Sequence, residues 1–178
     1  MNLPPSLRAP LPWPQWAYVP GDAAEAEADH ETLAMATALV PSAFRGYVPA
    51  RHPALRYGLA LNDRGYFWES QEILQAVWAA APQGGRERIL LRACIHIANA
   101  NLKLRMQRPL PAARLFGDAL AELRTLNARK ASGSGDGFAD GFPISPLTAL
   151  LQAKLGRPSL TKADWIALGA APQAQSPS

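Results

Sequence analysis

The sequence predicts an all-α protein, a compact up-and-down helical bundle with no sheet. Three observations predict it. Apolar residues recur at three- and four-residue spacing, as in Leu115, Phe116, Ala119, Leu120, Leu123 and Leu126. The stretch "HPALRYGLALNDRGYFWESQEILQAVW" reads as two helices joined by a Gly turn. No run in the chain makes a convincing strand.

Taken in order, residues 1–21 carry Pro4, Pro5, Pro10, Pro12, Pro14 and Pro20 around Trp13, Trp16 and Tyr18, which favours an extended arm over a helix. Aromatics at that density dock somewhere, either across their own domain or on a partner, for example as the contact of a homodimer. A helical core is expected over 22–127. Its first helix takes part of 22–40, with Asp22 available as N-cap and Pro41 as a stop. Pro53 suits the first position of the next helix, "NDRG" supplies the turn, and a second helix runs towards Pro82. With Gly58, Ser70, Leu74, Val77 and Pro82, this hairpin is similar to one tetratricopeptide unit, but no second copy follows at the roughly 34-residue period.

A third helix over about 86–107 and a fourth from Pro111 to about Leu126 complete the core. Residues 128–144, with "ASGSGDGFADGFP", read as a flexible Gly-rich loop. Two short helices follow within 145–170, the second capped by Ser159 or Thr161, and 171–178 reads as a disordered tail.

A chain of 178 residues, 48% of them hydrophobic, can bury one sizeable core. The single Cys94 lies in the apolar run "RACIHIA", where a small buried hydrophobe is expected, in keeping with a reducing cytoplasm. The apolar helix around it is broken by Arg92, His96 and Lys103, so a membrane span is not expected and a cytoplasmic location is. Net charge is +4, and residues 84–130 hold ten basic side chains against three acids. No nucleic-acid-binding motif accompanies that charge, so solvated helix faces account for it better than a nucleic-acid partner.

Candidate chemistry begins with Gln71, an amide on the apolar face of Phe67, Leu74 and Trp78. A buried unsatisfied amide costs roughly 1–3 kcal/mol, so a partner is expected. On the third helix Arg92, His96, Asn99 and Lys103 recur at spacings of four, three and four and form one polar line. An antiparallel neighbour would bring Gln71, Glu72 and Gln75, flanked by Trp68, against that line. The expected cluster joins Gln71, Glu72, His96 and Asn99, with Arg92 or Lys103 neutralising Glu72. Such a cluster serves helix register, a ligand pocket, or acid–base work by Glu72 and His96, although no nucleophile or oxyanion hole accompanies it. Zinc and di-iron ligand spacings are absent, "DGFADG" lacks the final Glu of a calcium loop, and no phosphate-loop pattern follows a strand. No cofactor or metal is expected. His30 and His52 are expected at the surface.

The hairpin together with "RILLRACIHIANANLKLRMQRPLPAARLF", about residues 53–126, resembles the bacterial family catalogued as domain of unknown function 309. On that resemblance Tyr66, Glu69, Glu72 and Trp78 match the family pattern. Gln71 stands where the family has His, Gln75 where it has a later Glu, and His96 where it has a helix-three Gln. The resemblance implies a compact all-α bundle and brings no known activity. The expected function is a non-enzymatic binding or scaffold module for a protein partner or small ligand. The alternative is a hydrolase-like or metal-assisted enzyme using Glu72 and His96.

Overall fold

The computed structural model describes residues 10–21, 27–129 and 135–169. Among them the chain is all-α: α1 His30–Thr37, α2 Pro53–Asp63, α3 Phe67–Ala80, α4 Arg86–Arg105, α5 Pro109–Asn127, α6 Phe138–Gly141 and α7 Ile144–Leu155, then a 3₁₀ turn, Lys162–Asp164. The only strand-type pairing among these residues is an isolated antiparallel bridge between Pro49 and Gly137. No helix of the described residues is long and apolar enough to cross a membrane.

Three helices start at a cap or a proline that their sequence supplies. Asp29 caps α1 by accepting from the Thr32 amide, and the helix takes part of the expected 22–40 stretch; Asp22 lies outside the described residues. Pro53 occupies the first turn of α2, and the His52 Nδ1 accepts from the Ala54 amide. His52, expected at the surface, is thus a half-buried cap set edge-on to Phe44, and burial lowers its pKa. Pro109 rather than Pro111 opens α5.

Helices α2 to α5 pack in sequence as antiparallel neighbours, and α7 covers α5. The main core runs from Leu55 and Leu59 through Leu74, Leu90 and Ile97 to Phe116, Leu123 and Leu151. Cys94 is fully buried there, as its neighbours led one to expect, and burial raises its pKa. Close approach within the α2–α3 hairpin depends on Gly58, where an added Cβ would stand 2.8 Å from Leu74 Cδ2. The Ser70 hydroxyl donates to the Gly58 carbonyl at 2.7 Å across the same contact.

A smaller core of Leu33, Ala36, Tyr57, Leu61 and Ile73 lies under the arm. Trp13 stacks on Tyr57 at 5.6 Å and Tyr66 at 6.5 Å, with Arg64 on its ring at 4.1 Å. The Tyr57 hydroxyl donates to the Pro12 carbonyl, and Tyr18 packs edge-on against Trp68. Residues 10–21 of the arm therefore pack across the bundle of their own chain.

Two segments differ from their sequence reading. Residues 135–143, read as part of a linker, dock on 48–50 through Ala50 N–H to the Asp136 carbonyl and Phe138 N–H to the Val48 carbonyl, and Phe138 and Ala139 are buried. The last expected helix is a single 3₁₀ turn capped by Thr161 and Asp164. Beyond it the chain extends, because Ile166 and Leu168 face inward while Trp165 and Ala167 face outward.

Gly65 closes the α2–α3 turn at φ +89°, and an added Cβ would meet Arg105 Nη2 at 2.9 Å. We expect Gly65→Ala to lower unfolding free energy by roughly 1–2 kcal/mol, because both the left-handed backbone and the space favour glycine. Urea denaturation measures this.

Candidate functional site

Helices α3 and α4 lie antiparallel. Arg88 and Arg92 sit over the Trp78 ring at 4.0 and 5.2 Å, and Arg105 over Phe67 at 4.4 Å. This register sets Gln71 at the level of Asn99 and Gln75 at the level of His96. The hydrogen bond Gln71 makes is a long one, 3.4 Å, to the Phe67 carbonyl of its own helix. Glu72 and Gln75 are exposed and open onto a shallow groove of about 620 Å³ shared with His30 and Leu33 of α1. Arg92 faces Glu122 at 3.8 Å rather than Glu72. His96, Asn99 and Lys103 are half-buried and make no side-chain hydrogen bond among the described residues. Trp68 belongs to the arm interface, between Tyr18 and His30.

An amide that does sit in the core is Asn101. It is fully buried, and its Nδ2 donates to the Ile166 carbonyl and to Asn62 Oδ1, both at 2.8 Å. Its Oδ1 accepts from the Ile166 amide at 2.8 Å. Asn62, equally buried, adds a donor to the same carbonyl at 3.1 Å. Asp63 Oδ1 accepts from the Leu168 amide at 2.5 Å. Two helices thus hold the backbone of an extended segment, whose N–H and C=O could not otherwise be buried cheaply.

That clamp forms one side of a cleft of about 450 Å³. Asp63, Arg64, Gly65 and Phe67 line it from the α2–α3 turn, Asn101 and Arg105 from α4, and Lys162 and Trp165 from the C-terminal segment. Three cations face one carboxylate there. Arg105 is half-buried; it donates to the Gly65 carbonyl and covers Phe67, yet no carboxylate comes within 4.0 Å of it among the described residues. Burial pushes its pKa down, with the more distant Glu69 acting the other way. Among the described residues no three of His, Cys, Asp and Glu gather as metal ligands would.

Glu69 matches the family pattern, and its place on the helix predicts that it points more nearly to solvent; the structure turns it inward instead. It is wholly buried; Oε2 accepts from the Tyr18 amide at 2.8 Å, while Oε1 has no partner among the described residues. Burial holds its carboxyl above the usual range, against the pull of the Tyr18 amide and Arg105, with Asp29 adding to the rise.

Two outcomes follow. Replacing Asn101 with Ala leaves the Ile166 amide and Asn62 Oδ1 without partners, so we expect a loss of roughly 2–4 kcal/mol in chemical denaturation. For Glu69 the folded chain holds its proton more tightly than the unfolded chain does. Its contribution is therefore complete below the ordinary value of 4.5 and lost as pH rises through the raised one. Wild type should lose stability relative to Glu69→Gln as pH climbs from 4.5, a difference in which the similarly raised Glu87 cancels. A difference independent of pH would contradict this.

No curated protein and no solved structure matches the chain. Residues 55–115 match the family described as Domain of unknown function (DUF309), a span from Leu55 in α2 to Leu115 in α5. It contains the α2–α3 turn and α4, hence the part of the cleft made by Asp63, Arg64, Gly65, Phe67, Asn101 and Arg105, while Lys162 and Trp165 lie beyond it. The resemblance drawn from the hairpin and the helix after it therefore stands: from Leu55 to Leu115 this chain is similar to the Domain of unknown function (DUF309) family.

Proposed function

We propose that the protein is a binding module without catalytic machinery, and that the cleft between the α2–α3 turn, α4 and the C-terminal segment takes a small anionic ligand. The observation that carries the reading is Arg105: a half-buried guanidinium lining a cleft, with no carboxylate in ion-pair reach among the described residues. Buried charge is ordinarily compensated, and a guanidinium matches the two-oxygen edge of carboxylate or phosphate. Arg64 and Lys162 add positive charge at the same mouth, and the cleft volume falls in the range of roughly 300–1,000 Å³ of small-molecule sites.

The groups around the cleft bind but offer no reaction. Its carboxylate, Asp63, is tied to the Leu168 amide, and Asn101 is spent on the Ile166 peptide. Arg105 is a charge donor, not a base, because a guanidinium stays protonated at working pH.

Titration of the full chain with inorganic phosphate, followed by calorimetry or a thermal shift, tests this. We expect saturable binding that Lys162→Ala weakens about tenfold, the worth of about one charge-assisted contact. Lys162 is exposed, so the substitution should leave the fold intact. Absence of binding, or binding unchanged in Lys162→Ala, would overturn the reading.

A further inference from the structure

Trp165 is 39% exposed at the wall of the cleft, yet the residues on either side of it are held by hydrogen bonds. On one side Asp164, 2% exposed, closes the capping box with Thr161 and is bonded by Lys154 at 3.3 Å and Arg157 at 3.2 Å. On the other side the Ile166 N–H and C=O are taken by Asn101 and Asn62. The indole leans on Phe67 at 5.9 Å with a 49° tilt, and Phe67 in turn lies under Arg105. A large apolar side chain left partly in water forgoes part of the roughly 1.5–3 kcal/mol that full burial of such a group supplies. Here it is held in place at both neighbours and presented beside three cations.

From this we infer that the ligand joins a flat ring to a phosphate group, with the ring on Trp165 and the phosphate between Arg105, Arg64 and Lys162. The inference rests on the anion-binding reading above and narrows its ligand class to the size and chemistry of a nucleoside monophosphate. Ring stacking on an aromatic side chain supplies about 1–3 kcal/mol and tolerates different rings, because it reads a π-face and not an edge. A bare anion would leave Trp165 uncovered. A bare ring would leave Arg105 without its counter-charge.

The test compares inorganic phosphate, adenosine, adenosine monophosphate and phenyl phosphate by calorimetry on the full chain, in wild type, Trp165→Ala and Trp165→Phe. Adenosine monophosphate should bind at least tenfold more tightly than either phosphate or adenosine. Trp165→Ala should bring it down to the affinity of phosphate without changing phosphate itself, and Trp165→Phe should restore most of the gain. Phenyl phosphate equal to the nucleotide would mean that any flat ring suffices, and a weaker phenyl phosphate would mean that a base-sized ring is required; both support the inference. If phosphate binds and the nucleotide binds no better, or if Trp165→Ala leaves the nucleotide unaffected, the ring assignment falls while the anion site stands. If nothing binds, the anion-site reading falls with it.

Discussion

The peptide of Ile166 is held by two carboxamides that come from different helices, and the arrangement of the C-terminal segment depends on that contact. Asn62 is the penultimate residue of α2 and Asn101 lies near the end of α4, both without solvent exposure. An extended chain crossing a helical core brings an N–H and a C=O that no helix can satisfy. A carboxamide is the side chain that can meet both at once, since it offers a donor and an acceptor on one group. The Leu168 amide finds its acceptor in Asp63, one residue beyond Asn62. With the segment fixed in this way, Ile166 and Leu168 bury their side chains and Trp165 and Lys162 are left facing Arg105.

The α2–α3 turn is shared between two surfaces. Arg64 reaches the cleft and also covers the Trp13 ring on the arm side, while Gly65 gives its carbonyl to Arg105 and lets that side chain approach. Glu69 and Arg105 sense one another electrostatically from the two sides. The arm is therefore part of the environment in which the cleft is built. The uneven charge of the sequence, basic from α4 onward, is partly spent within the fold on Trp78, Glu122 and backbone carbonyls, and Arg105 carries it into the cleft.

Helical spacing told most of the architecture, because periodicity reports which face of a helix is apolar. The hairpin, the long buried α4 and the buried Cys94 were legible in this way, and the arm was legible from its Pro and aromatic composition. What a face meets is a different matter. Gln71 drew attention by standing between Phe67 and Trp78, whereas Asn101 stands at equally apolar spacing, four residues after Ile97 and three before Leu104, and is fully buried. Its partner is a backbone peptide 65 residues away, which no pattern within α4 could announce. Asn62 was hidden for a related reason, since "NDRG" reads as turn composition. Near the C-terminus the inward positions Ile166 and Leu168 alternate with outward ones, a two-residue period too short to outweigh the helix-like composition around it. Lys162 and Trp165 join the cleft through chain folding alone.

Amide hydrogen exchange at Ile166 and Leu168 tests the central claim, that a side-chain clamp holds this extended segment rigidly in the bundle. The account predicts protection approaching that of the buried α4 amides, because opening either bond requires breaking the Asn101 or Asp63 contact. Exchange at the rate of an unstructured loop would contradict it.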